Sequence, residues 1–377
     1  MPNIIRVLIQ CSVVLLLITL PVNSSDNDVV CDTEGKIIRA GYPHEKFDVI
    51  TEDGYILQVH RIPQGKNQNQ TIYRPVVFLM HGLFASPSCY VELGSQYAIA
   101  FNLADEGFDV WLGSARGVCN SRRHQQMDPD DRIEKHKFFD YSWHEIGLYD
   151  LPAMIDFALK VSGQDKLFYI GHSQGGTTFL VLNSMKPEYN SKIKAAHLLA
   201  AVGYQKNFPN ERMKRYALLT DPLVEVTKMF GIVELDSGFL SAAPKETEKT
   251  EDPSEVRVPI SDLGTTAAVK QMAHYGQNVR DKTFRRWNYS LGENLLRYGS
   301  LTPPRYNLSL INVDITMHYT LGDVLLDEND VLDMVRDLPH AKARKLTRDS
   351  FTHYDFVQSS FVKSLVTDYV INDLKRR

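Results

Sequence analysis

Cysteine is scarce in this chain. Four of the 377 residues are cysteine, and Cys11 lies in an apolar N-terminal stretch apart from the rest. Cys31, Cys89 and Cys119 are an odd set, so they can form at most one intrachain disulfide, with its pairing open. A disulfide-stapled scaffold is thereby excluded, and the fold must rest on an apolar core. An excess of charge of one sign is also missing. Lys and Arg number 42 against 46 Asp and Glu, a net charge of −4. No basic face is available for nucleic acid, so no such partner is expected. Beyond Leu20 no apolar run approaches the roughly 20 residues of a membrane-spanning helix. The 12 histidines show no paired ligand spacing, so no metal is expected.

The N-terminus reads as a targeting segment. Arg6 precedes Val7 to Leu20, apolar except for Gln10, Cys11, Ser12 and Thr19, and Pro21 with Asn23, Ser24 and Ser25 follows. That order is the one of a secretory signal peptide over residues 1–24, cleaved near Ser24. The expected destination is extracellular or lysosomal. Behind a signal peptide the sequons at Asn69, Asn288 and Asn307 become candidate glycosylation sites.

The body of the chain alternates strand and helix. Phe47 to Ile62 alternates around Asp53-Gly54 and predicts a β-hairpin. PVVFLM (75–80), FDVWL (108–112) and KLFYI (166–170) are short apolar runs suited to strands buried on both faces. Helices are expected over Tyr97–Glu106 and from an Asp150 N-cap, with Met154, Phe157, Ala158 and Val161 on its inner face. Further strands are expected over Ala195–Val202, Ile311–Thr320 and Ala343–Thr347. This rhythm means a mostly parallel α/β sheet with helices on both faces. It fails between about Gly203 and Pro304, where Met213–Phe230 and Thr265–Val279 look helical and the charged Pro244–Val258 looks like a mobile loop. The predicted organisation is a core over 25–204 and 305–377 carrying a cap over 205–304.

The chemistry centres on Gly171-His172-Ser173-Gln174-Gly175, between an apolar strand and an apolar helix. A serine there sits in a sharp turn that lifts its hydroxyl above the sheet, and the glycines let strand and helix approach. Serine needs a base, and on such a fold an acid and then a histidine follow in sequence. Asp323 ends a strand candidate after the insertion, with Asp327, Asp330 and Asp333 as rivals beside a helix entry. His353 follows the last strand candidate, and His340 is its one competitor downstream of the acid. The oxyanion needs N–H donors, for which Gln174 and Leu83, after His81-Gly82, are the candidates.

At this point the chain resembles the acid lipases, the family that includes gastric lipase, lysosomal acid lipase and insect relatives. The likeness runs from about Gly41 to the C-terminus. It is carried by Gly41-Tyr42-Pro43, TEDGYILQVHRIP, RPVVFLMHGLFAS, DVWLGSARG, SWHEIGLYDLPAMIDF, GHSQGG, VKQMAHYGQ, LRYGSLTPPRYNLS and FTHYDF. The resemblance implies an α/β-hydrolase fold with a helical cap and lid. It implies hydrolysis of neutral lipid esters by Ser173, Asp323 and His353, with Leu83 and Gln174 as oxyanion donors. No cofactor is implied, and the expected partner is a neutral lipid at a lipid–water interface. A monomer is expected. The chain departs from the family in the cap: no cysteine follows Cys119, and the charged Pro244–Val258 and Ile260-Ser261-Asp262-Leu263 replace a longer apolar lid stretch. Two other readings follow from that departure. One is an esterase for short or soluble esters; the other is a lipid-binding relative without activity.

Overall fold

The fold is a computed structural model that describes residues 31–66, 68, 73–237, 252–259 and 265–377. The signal segment, Asn69, residues 244–251 of the charged stretch and Ile260-Ser261-Asp262-Leu263 lie outside the described residues. The sheet begins with the hairpin β1 (Glu45–Ile50) and β2 (Ile56–Ile62). It continues with β3 (Val76–Met80), β4 (Asp109–Gly113), β5 (Leu167–His172) and β6 (Ile193–Leu199). Two short strands, β7 (Glu234–Asp236) and β8 (Thr266–Ala268), make a separate ribbon. The large sheet closes with β9 (Asp314–Tyr319) and β10 (Ala341–Lys345).

The order across the large sheet is β1-β2-β4-β3-β5-β6-β9-β10. Only the hairpin end is antiparallel; from β4 to β10 every neighbour is parallel. Every residue of β3, β4 and β5 is buried, which is why these strands read as unbroken apolar runs. Phe78, Trp111, Tyr169 and Phe179 fill the core without exposure. β6 and β9 are neighbours, so everything between them is an excursion that leaves the sheet at the C-terminal end of β6. The excursion holds helices Glu211–Ala217, Thr220–Met229, Val269–Asp281 and Leu291–Tyr298 besides the ribbon. Among the described residues no helix is long and apolar enough to cross a membrane.

Several local expectations need correction. The helix around Asp150 starts at Ser142, whose hydroxyl accepts from the His144 N–H while Glu145 accepts from the Ser142 N–H. Asp150 is therefore inside the helix, and its carboxylate is spent on Arg116. Gly147 lets this helix lie on the next one, because a Cβ there would come within 2.7 Å of Val181 Cβ. Val161 is 40% exposed and is not part of the inner face. The Tyr97–Glu106 helix breaks at Ala98, whose backbone is extended. Met213–Phe230 is two helices, and Thr266–Ala268 is strand β8 rather than the start of the next helix. The disulfide joins Cys31 to Cys119, and Cys89 is free and buried.

One buried ion cluster ties the β1–β2 turn to the long helix. Arg116 is 1% exposed and reaches Asp53 at 2.6 Å and Asp150 at 2.6 Å, with its guanidinium 3.9 Å from the Tyr55 ring centre. Burial pushes Asp150 up to about 6, against the pull of the guanidinium it touches. Removing one partner of such a pair strands a buried charge. Arg116→Met is expected to lower unfolding free energy by about 3–5 kcal/mol, and adding Asp150→Asn to recover part of it. Urea unfolding of the disulfide-intact protein reads this; a loss below about 1 kcal/mol would contradict the buried-charge account.

Candidate active site

Parallel register decides where the candidate residues meet. Ser173 follows β5, Asp323 follows β9, His353 follows β10 and His81-Gly82 follows β3. All four lie beyond the C-terminal ends of parallel strands, so the fold collects them on one edge.

Ser173 sits between β5 and the helix Gln174–Met185 with φ 51° and ψ −115°. That backbone is strained for a residue with a side chain, at a cost of about 1–3 kcal/mol. The turn exists because nothing fills the space around it. A Cβ on Gly175 would stand 2.0 Å from the Met80 carbonyl oxygen, and one on Gly171 would stand 2.6 Å from the Gly175 carbonyl carbon. A Cβ on Gly176 would collide with Ala201 at 2.2 Å. The Ser173 N–H donates to the Leu199 carbonyl at 2.9 Å, which fastens the turn to β6.

Three side chains then form one hydrogen-bonded line. His353 Nε2 is 2.8 Å from Ser173 Oγ, and His353 Nδ1 is 2.7 Å from Asp323 Oδ2. Asp323 Oδ1 accepts from the Leu325 and Leu326 N–H groups at 2.7 and 3.0 Å. With Oδ2 accepting from Nδ1–H, the neutral ring offers Nε2 to the serine hydroxyl. Asp323 is 5% and His353 2% exposed, so water has little access to the line. The rival residues have other work. Asp327 caps the helix Glu328–Asp337, Asp330 holds Asn207, and Asp333 pairs with Arg336. His340 lies in the turn before β10, where its carbonyl accepts from the Ile315 N–H.

The loop Gly82–Ala85 borders the serine. A Cβ on Gly82 would be 3.1 Å from Ser173 Cβ, tight enough that a larger residue would press on the serine. Leu83 follows directly, and Gln174 is the first residue of its helix, where an N–H has no intrahelical partner. Two histidines unassigned by sequence pattern support these loops. His81 Nδ1–H donates to the Gly82 carbonyl at 2.8 Å, while Nε2 accepts from the Ala115 N–H at 3.1 Å. His172 Nε2–H donates to the His353 carbonyl at 2.9 Å. Burial lowers His81 to about 4 and His172 to about 3, with repulsion by His353 adding to the second. Both rings therefore stay neutral and keep these donor roles across the physiological range. Both histidines stand inside the motifs themselves, yet nothing in their spacing separates a loop support from a core residue.

The insertion touches both sides of the site. Thr265 donates its N–H to the Phe84 carbonyl at 2.7 Å and its hydroxyl to Ala85 at 3.1 Å. Residues 252–258, expected to be mobile, instead lie along the C-terminal segment, with the Val258 N–H on the Gln358 carbonyl and the Ser360 N–H on Val256. Elsewhere on the insertion and beyond it, Asn307 is exposed, with its Oδ1 accepting from Ser309 Oγ at 2.7 Å. Asn288 is partly buried and accepts from Asn294 at 2.7 Å. Such a line of hydroxyl, imidazole and carboxylate, beside a tight backbone loop, is equipped for nucleophilic acyl transfer.

Comparison with known proteins agrees with this chemistry. Residues 75–359 match the alpha/beta hydrolase fold family, and residues 33–94 match the partial alpha/beta-hydrolase lipase region. The chain is 36% identical to Lipase 1 of Drosophila melanogaster over 90% of this chain and 78% of that one. It is 34% identical to the human gastric triacylglycerol lipase over 84% of each. Among solved structures, a bacterial membrane phospholipase A aligns with TM-score 0.52 at 15% identity over the whole of both chains. The esterase of Exiguobacterium antarcticum aligns with TM-score 0.52 at 16% identity, over 87% of this chain and 98% of that one. At such identities these two likenesses show the fold alone. The chain belongs to the acid lipase family, of the gastric lipase type, and is a carboxylic ester hydrolase of the α/β-hydrolase fold.

Proposed function

We propose that this protein hydrolyses the carboxylic ester bonds of neutral lipids, triacylglycerols or sterol esters, through an acyl-enzyme on Ser173. The observation that carries the reading is the unbroken line from Ser173 Oγ through His353 to Asp323. Ser173 Oγ attacks the ester carbonyl carbon while its proton passes to His353 Nε2. The Leu83 and Gln174 N–H groups donate hydrogen bonds to the carbonyl oxygen as negative charge builds on it. The ester C–O bond then breaks, and the imidazolium gives its proton to the departing alcohol. Water, deprotonated by His353, attacks the acyl-enzyme and releases the fatty acid and Ser173. Asp323 keeps the ring in the required tautomer and stabilises its charged form.

The substrate class rests on the relatives named as triacylglycerol lipases. We further propose that residues 1–24 are removed as a signal peptide and that the monomeric protein acts outside the cell or in the lysosome. In this reading residues 205–304 are the cap, and Asn69, Asn288 and Asn307 carry glycans.

Ser173→Ala is expected to lower hydrolysis of emulsified triacylglycerol by about 10⁶-fold and to abolish labelling by a fluorophosphonate. Equal rates in the two proteins would sink the triad, and an unlabelled wild type would favour a non-catalytic lipid binder. Asp323→Asn is expected to cost about 10⁴-fold in kcat with the fold intact by circular dichroism. Emulsified long-chain triacylglycerol should be turned over faster than a short soluble ester; the reverse order would reassign the substrate to small esters. An optimum at about pH 5 with cholesteryl ester turnover selects the lysosome, and a neutral optimum selects the extracellular space.

A further inference from the structure

We infer that Arg257, carried on the insertion, is a positioning residue for His353: it holds Asp355, and Asp355 holds the turn on which His353 stands. The inference rests on the reading of His353 as the base. Asp355 is 1% exposed and lies two residues beyond His353. Its Oδ2 accepts from the Thr352 N–H at 2.7 Å, on the residue just before His353. Its Oδ1 accepts from Gln358 Nε2 at 3.1 Å and from Arg257 Nη1 at 2.5 Å. The other prong, Arg257 Nη2, donates to Glu255 at 2.8 Å, and the same Glu255 oxygen accepts from the Ser359 hydroxyl.

The backbone of His353 is thus pinned on both sides. Upstream, Asp355 fixes the Thr352 peptide; downstream, His172 holds the His353 carbonyl. The cation beside Asp355 offsets the charge of this buried carboxylate and, forked between Asp355 and Glu255, sets where its Oδ1 lies. That cation comes from the insertion, not from the sheet. Arg257 is not the sole attachment of the segment. Val256 and Val258 already bond to Ser360 and Gln358 through the backbone at 2.8 and 2.9 Å. Losing the guanidinium therefore leaves the segment in place and takes the charged donor away from Asp355 Oδ1, so the His353 turn shifts. Proton transfer between Ser173 Oγ and Nε2 tolerates little of that: a misplacement of about 1 Å can cost about 100-fold.

The test compares kcat and KM on a soluble short-chain ester for wild type, Arg257→Met, Arg257→Met/Asp355→Asn and Arg257→Lys, well below each variant's Tm. Arg257→Met is expected to lose about tenfold in kcat with KM within about twofold. The double variant should regain most of the loss, because the neutral amide that replaces the carboxylate in Asp355→Asn still accepts from Thr352 without needing a cation. Wild-type kcat in folded Arg257→Met, with only Tm lowered, would overturn the inference, as would a double variant no faster than the single one. If Arg257→Met does not fold, Arg257→Lys decides. It keeps the charge but not the two-pronged geometry. An expected loss of about threefold in its kcat at constant KM supports the inference, and an undiminished kcat overturns it. Ser173→Ala in the same assay is the separate control: if it matches wild type, the triad reading fails, whatever the Arg257 variants do.

Discussion

The site depends on backbones that come closer than side chains would allow. β5 and the helix after it meet around Gly171, Gly175 and Gly176, each against atoms a Cβ would strike. Gly175 is pressed on the carbonyl of Met80 at the end of β3, so the Ser173 turn and the loop after β3 are held in one contact. The strain at Ser173 is kept by this packing. Release the contact and three things move together: the serine hydroxyl, the Gln174 N–H and the Gly82–Leu83 peptide.

Neutral histidines are the second element of the design. His81 and His172 are buried, and burial keeps a ring uncharged, with one nitrogen a donor and the other free to accept. The His81 ring is a rigid spacer between the Gly82 carbonyl and the Ala115 N–H. His81 sets the carbonyl of the same peptide that carries the Leu83 N–H, and His172 sets the carbonyl of His353. A peptide is planar, so fixing its oxygen also fixes the direction of its N–H. Such supports add no charge beside the line from Ser173 to Asp323.

The insertion makes direct contacts with the loops around the site. Its small apolar cluster of Phe208, Ala217 and Val279 has Leu325 packed against it, two residues beyond Asp323. Thr265 binds the loop after β3, and residues 255–258 bind the segment after His353. The inserted helix Val269–Asp281 is anchored on the core, where Trp143 stacks on His274 with ring centres 3.7 Å apart and Tyr275 meets Thr177 at 2.8 Å. The insertion thus touches the loop after β3, the segment after His353 and the chain just beyond Asp323.

Much of this was legible in sequence. Apolar runs marked β3, β4 and β5 because a strand buried on both faces has no polar position to alternate with. The glycines flanking Ser173 and the turn at Asp53-Gly54 are local signals with local causes. Three kinds of fact were not legible. Asp150 has the residue type and spacing of a helix cap, yet it faces Arg116, a partner 34 residues away that no local pattern reveals. Cys31 pairs with Cys119 across 88 residues, and parity alone could only limit the pairing to one bond. The charged stretch before Val258 looked unable to bury anything, and its described end is nonetheless laid along residues 358–360 by backbone hydrogen bonds that any sequence can make. By itself, then, the sequence marked most of the elements and the candidate site residues, since propensity and burial pattern act over a few residues. The tertiary structure decided which distant charges meet and which loops brace the site, because those contacts are set by sheet order and packing rather than by neighbours in the chain.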